Sequence, residues 1–142
     1  MKAEEFIRQY RAGERNFEDV DLHTAKLAQA YMVRADLHMA NLSEADLSGS
    51  DLGWSILSWA DLREANLSAA DLRMANLSGA NLRSADLRGA NLRMADLRWA
   101  VLHGANLQQA DLFMADASME QLTRAASLKG ATLPDGTVHE QD

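Results

Sequence analysis

The chain has 142 residues, 47% of them hydrophobic but only 6% aromatic, no cysteine, and a formal net charge of −7. This length suits one domain with a modest core, and the lack of cysteine excludes a disulfide framework and any thiolate metal site. The acidic charge is uneven: residues 1–14 sum to zero, 15–59 to −4, 60–99 to +1 and 100–142 to −4. No basic stripe is offered to a phosphate backbone, so direct nucleic-acid binding is not expected.

The first segment, MKAEEFIRQYRAGERNF, is charged throughout and lacks the apolar stretch of a secretory signal. Nothing approaches the roughly 20 apolar residues that span a bilayer, so a cytoplasmic protein without membrane contact is expected. Phe6, Ile7 and Tyr10 fall at helical spacing and Gly13 can stop the helix, so residues 1–14 read as an N-terminal helical cap.

A five-residue period follows. From Leu22 to Leu112 every fifth residue is Leu except Met32, eighteen of nineteen positions. Two residues before each, from Ala25 to Ala115, stands Ala except at Ser50 and Ser55. The residue between them is Asp or Asn in most units, with Lys26, Tyr31, Ile56 and Val101 as departures.

An α-helix cannot carry this pattern: five residues at about 100° each advance the Leu row by 140°, so it would spiral around the axis. A flat strand fails as well, because an odd repeat would send successive Leu to opposite faces. The pattern works when each unit makes a short extended segment and then a corner, with Ala and Leu inward and Asp/Asn outward. The last two positions turn the chain, giving a β-solenoid. Asp and Asn bond nearby backbone and tolerate turn conformations, which predicts a structural role for them.

The outer residues indicate the number of faces. Met or Trp ends the unit at 39, 54, 59, 74, 94, 99, 114 and 119; five pairs lie twenty apart, against three at fifteen or at five. Four faces per coil are therefore favoured, with about five coils over residues 15–119 and a rod of roughly 24 Å plus caps.

The unit A-[DN]-L-x-x, repeated from about Arg15 to Met119, resembles the pentapeptide-repeat family. That resemblance implies an all-β fold, the right-handed quadrilateral β-helix, with Leu as the central inward residue and Ala two before it also inward. The tail SLKGATLPDGTVHE looks like endings common among cyanobacterial members. Function is not implied by the fold: some members protect DNA gyrase by imitating DNA, and at least one cyanobacterial member regulates cell differentiation.

Both ends of a solenoid need lids. Phe17 replaces Leu at the first central position, a bulkier residue suited to an end layer. Residues 118–142 read as a C-terminal capping helix and tail. Ser118 stands three residues before Gln121, a capping-box spacing, and Leu122 and Leu128 can cover the open coil. LPDG (133–136) predicts a β-turn, with the last residues frayed.

No catalytic constellation is legible. His23, His38, His103 and His139 are scattered, and no nucleotide, hydrolase or metalloprotease motif occurs. An Ala/Leu-filled solenoid is also expected to leave no concave pocket for a small ligand. The sequence therefore predicts no enzyme, no cofactor and no metal. Arg63, Arg73, Arg83, Arg88, Arg93 and Arg98 follow their central Leu and spread over four faces. Asp61, Asp71, Asp86 and Asp96 stand two residues before four of them, which predicts local ion pairs.

What stands out is exterior. On four faces, Met39, Trp59, Trp99 and Met119 fall in one column on the first, interrupted by Gly79. Trp54, Met74, Met94 and Met114 fall in a second column on the fourth face, with Ile56 and Phe113 outward on the same two faces. Faces two and three are polar apart from Val101. One-sided apolar columns predict a contact surface, with Trp and Met favoured at such sites. The expected function is a non-enzymatic interaction or scaffold module that presents a rigid face to a protein partner, or a homodimer through that side. The alternative is a DNA-mimicking modulator of gyrase, which a broadly acidic surface would favour.

Overall fold

The computed structural model describes residues 1–142. Its framework is a ladder of parallel pairings between residues twenty apart, from Asn16 with Asp36 to Asp96 with Asp116. Twenty residues per turn means four pentads, so the chain winds as a four-sided coil. Its interior is one continuous cluster of Leu and Ala, including Leu37, Leu57, Leu77 and Leu97 up one wall.

The unit of five is explained by its backbone donors. Around Leu37, the Leu37 N–H donates to Ile56 O at 2.7 Å and the Met39 N–H to Ser58 O at 2.9 Å, both in the next coil. The Ala40 N–H closes a turn onto Leu37 O at 3.0 Å, and the Asn41 N–H reaches Val20 O of the preceding coil at 2.9 Å. One donor remains, the N–H of His38, and the Asp36 carboxylate accepts it at 3.1 Å. The same bond recurs down the rod, for example from Ser68 to Asn66 and from Arg88 to Asp86. Asp and Asn are thus needed because the ladder and the turn satisfy four of the five N–H groups and a short side-chain acceptor must take the fifth.

The left-handed residue of each corner is not the Asp or Asn that precedes the Leu, contrary to the turn tolerance expected of that position. It is the fifth residue of the unit, with φ near +60° at every corner from Asp19 to Met114; sixteen of these residues are not Gly. A turn closed from residue 4 to residue 1 with positive φ at residue 3 ordinarily selects Gly or Asn. Here Trp54, Trp59 and Met39 occupy it with their own N–H groups in the ladder, and Trp99 occupies it between the ladder bonds of Leu97 and Val101.

Helix α1 (Ala3–Arg11) closes the first coil. Its Phe6 ring is fully buried and its centroid lies 4.4 Å from that of Phe17, while Tyr10 Oη donates to Val33 O at 2.7 Å. At the other end Ser118 and Gln121 form a reciprocal capping box on α2 (Met119–Leu122). Gln121 Nε2 also donates to Leu97 O and Ala100 O, at 2.7 and 3.0 Å.

The tail is more ordered than its sequence suggests. Beyond α2 the chain resumes the solenoid with one extra residue, so that Ser127 pairs with Asn106 and Thr132 with Asp111, twenty-one apart. Leu122 and Leu128 are buried. The Gly136 N–H bonds Leu133 O at 2.9 Å, forming the LPDG turn. Strand β1 (Ala131–Thr132) pairs antiparallel with β2 (Val138–His139), and Asp142 contacts the Ser127 hydroxyl. This hairpin orders the tail as far as His139, and residues 140–142 beyond it lie exposed and outside any element.

The two Ser residues in the Ala row differ. Ser50 Oγ donates to Leu47 O at 2.7 Å, whereas the buried Ser55 Oγ has no partner. Ser55→Ala should therefore stabilise the protein by about 1 kcal/mol and Ser50→Ala should be nearly neutral, as read by urea denaturation. Equal effects of the two would contradict this hydrogen-bond assignment.

Candidate interaction surface

Outer side chains are carried at three positions of each unit, and their rows run parallel to the rod axis. The first face presents Met39, Ile56, Trp59 and Trp99, all exposed, Trp59 at 58% and Trp99 at 69%; Met119, expected to extend this column, instead opens helix α2, where it is also exposed, because the chain leaves the coil at Ser118. The fourth face presents Trp54, Met94 and Met114, also exposed, with Met74 and Phe113 half-buried. Eight of the ten candidate residues are thus open to solvent. Phe113 is half-covered by Arg93, whose guanidinium carbon lies 4.8 Å from the ring centroid.

Side chains at the corner position lean toward the next coil. The Trp59 ring lies over Gly79, where an added Cβ would stand 2.5–2.6 Å from three indole atoms. Gly79 therefore does not merely interrupt the first column; it provides the bed on which Trp59 lies. Gln29 leans over Gly49 in the same way. Gly79 and Gly89 both have positive φ, but nothing lies within 4 Å of a Cβ placed at Gly89. Gly89→Ala should cost about 1 kcal/mol, from backbone conformation alone. Gly79→Ala should cost about 2 kcal/mol and shift Trp fluorescence, because the ring must move. Identical stability and spectra for the two variants would refute this packing.

The expected ion pairs form. Asp61–Arg63, Asp71–Arg73, Asp86–Arg88 and Asp96–Arg98 meet at 2.6–2.7 Å, and each pair adds a second contact through Nε. The guanidinium hydrogen bonds hold these four carboxyls below the usual Asp value. Arg93 pairs instead with Asp111 in the next coil, at 3.0 Å.

Three of the four histidines have side-chain partners. His23 Nδ1 lies 2.7 Å from Asp21, His38 Nδ1 lies 2.7 Å from Ser58 Oγ, and Arg124 Nη1 lies 3.0 Å from His103 Nε2. No three His, Asp or Glu side chains gather in a geometry that would hold a metal ion. No helix is long and apolar enough to cross a membrane.

The outer surface nevertheless carries shallow grooves. A cleft of about 580 Å³ runs along the fourth face over Gly53, between Val33, Trp54 and Met74. Another of about 440 Å³ lies where α2 departs from the coil, beside Trp99, His103 and Arg124. Both are open grooves between outer side chains. They arise where a short residue or a change of path breaks an outer row, which the regular core pattern does not reveal.

A four-sided β-solenoid with Leu and Ala inside and a ladder of twenty-residue turns defines a class of repeat protein. The model of that class, pentapeptide repeats, matches residues 16–53, 55–93 and 80–116 in eight copies, and the chain belongs to this family of right-handed quadrilateral β-helices. Among solved structures it is similar to a pentapeptide repeat protein of the Arabidopsis thaliana thylakoid lumen. That match has 24% identity and a TM-score of 0.62, over 90% of this chain and 87% of the other. It is also similar to HetL of Nostoc, a pentapeptide repeat protein involved in heterocyst differentiation regulation, with 29% identity and a TM-score of 0.41 over 98% and 100% of the two chains. Rfr23 of Cyanothece shares 31% identity at a TM-score of 0.46, over 96% of this chain and 99% of that one. Among curated proteins, none matches.

Proposed function

We propose that this protein is a non-enzymatic interaction module, a rigid rod of about five coils that presents its first and fourth faces to a protein partner. The observation that carries this reading is the one-sided set of exposed Trp and Met, with Trp54, Trp59 and Trp99 half or more exposed on two adjacent faces. Exposed apolar residues grouped in this way are uncommon on proteins that bind nothing, and Trp is the residue most enriched at binding hot spots.

Rigidity supports the same reading. In units that carry Asp or Asn, the ladder, the turn and that side chain take up the backbone N–H groups, so the other two outer residues can vary without disturbing the frame. Such a scaffold holds its contact residues at fixed spacing and loses little conformational entropy on binding. Most of the Asp residues serve the backbone and the Arg residues, and the carboxylate–imidazole pair of Asp21 and His23 stands exposed on the outer surface.

A Trp54→Ser/Trp59→Ser/Trp99→Ser variant should keep its circular dichroism spectrum and lose self-association or partner capture. Analytical ultracentrifugation and affinity capture from the source lysate read the two outcomes. Unchanged hydrodynamic mass together with unchanged capture would overturn the proposal.

A further inference from the structure

The four faces differ in charge as well as in polarity. Between residues 16 and 119 the first face carries five carboxylates (Glu18, Asp19, Asp36, Asp96 and Asp116) and one guanidinium, Arg98. The fourth face carries three of each sign, the third two of each, and the second four carboxylates and two guanidinium groups. The face richest in exposed Trp and Met is therefore also the most acidic.

Ion pairing sharpens the contrast. Arg98 occupies Asp96 at 2.7 Å and approaches Asp116 at 3.6 Å, both in the C-terminal half of the face. Glu18, Asp19 and Asp36, in the N-terminal half, have no cation within ion-pair distance. Met39, Ile56 and Trp59 stand beside them on the next coils.

Trp59 is also set apart from the other two tryptophans. The guanidinium carbon of Arg34 stands 5.1 Å from the Trp54 ring centroid, and that of Arg98 stands 5.5 Å from Trp99. Trp59 has no such cation. One side of its ring lies on Gly79, and the residue remains 58% exposed. An indole fixed flat and open on its outer side is a receptor for a guanidinium or ammonium group, and the carboxylates of Asp36 and Asp19, one and two coils toward the N-terminus on the same face, continue that receptor along the rod.

We propose that the N-terminal half of the first face, running from Asp19 through Asp36 to Trp59, docks an extended basic segment of a partner protein that carries arginine among apolar residues. This rests on the interaction-module reading above and names the chemistry of its partner. A second copy of the chain is disfavoured as occupant, because a symmetric contact through this face would oppose four net negative charges with four more. A basic segment instead gains carboxylate contacts, a cation–π contact on Trp59 and apolar contact with Met39 and Ile56.

The test uses a short synthetic peptide alternating Arg and Leu, with a Glu/Leu peptide as its counterpart, titrated calorimetrically into the full chain. The Arg/Leu peptide should bind, with affinity falling as salt rises, and the Glu/Leu peptide should not. Asp19→Asn/Asp36→Asn should weaken binding about tenfold and Trp59→Ser should weaken it at least as much. Asn is the ordinary residue at the position of Asp36 and tolerates the left-handed backbone of Asp19, so the double variant should fold. Asp46→Asn/Asp86→Asn makes the same change in net charge on the third face and should leave binding unchanged. Absence of binding, binding of both peptides, or equal weakening by the third-face variant would overturn the proposal. If the Trp triple variant loses the natural partner while Asp19→Asn/Asp36→Asn retains it in full, the interaction surface stands and the basic partner falls.

Discussion

Phe6→Ala should lower stability by about 3 kcal/mol and loosen the solenoid from its N-terminal end. Phe6 is fully buried, against Phe17 at a centroid distance of 4.4 Å and Tyr10 at 6.4 Å. Removing its ring takes away the lid over the first coil and leaves a gap that α1 cannot fill with its remaining residues. In a solenoid each coil packs only on its neighbours, so the first coil has one neighbour and depends on this cap for the other. Hydrogen exchange should show the loss as lowered protection for amides between Phe17 and Ala35, with protection between Leu67 and Ala95 less affected. A uniform loss along the rod would show that the ends are not independently supported.

Leu67→Ala should cost a comparable amount, about 3 kcal/mol, by a different route. Leu67 is fully buried in the middle of the rod, between the layers of Leu47 and Leu87 on the same wall. The walls are held apart by ladder bonds on four sides, so they cannot close on the vacated space as a loosely tied core would. The Leu67 N–H bond to Asp86 O at 2.7 Å and the turn bond from the Ala70 N–H to Leu67 O at 3.1 Å fix the backbone around the gap. Urea denaturation gives the loss directly. A cost below about 1 kcal/mol would mean that the coil relaxes inward and that the backbone frame is softer than its hydrogen bonding implies.

Much of this fold is legible in the sequence because its determinants are local and repeated. The Ala-x-Leu triplet names the inward residues unit by unit, and the Asp-x-Arg spacing names the ion pairs, because both partners lie within one pentad. The two columns of Trp and Met were also visible, since a twenty-residue interval can be counted. The corner conformation was not visible. Positive φ is usually announced by Gly or Asn, but here Trp, Met, Gln and Glu adopt it, because ladder bonds from neighbouring coils hold the backbone there. The role of Asp and Asn was seen only in outline. Their bond to the N–H two residues on is local, but that this donor lacks any other partner becomes evident only when the coils are stacked. The added partial coil after α2 was hidden by its one-residue slip, which removes Leu128 from the five-residue count.

By itself the sequence determined the period, the inward rows and the polarity of each face, because alternation of side chains about an extended triplet depends only on neighbours in the chain. Only the tertiary structure decided that Trp59 lies flat on Gly79, that Arg34 and Arg98 accompany Trp54 and Trp99, and that Glu18, Asp19 and Asp36 are left without a cation. Those relations depend on the direction in which each side chain leans across the coil boundary. That direction is set by backbone torsion at the corner and by the bulk of the residue one turn further on, neither of which is a property of the pentad alone.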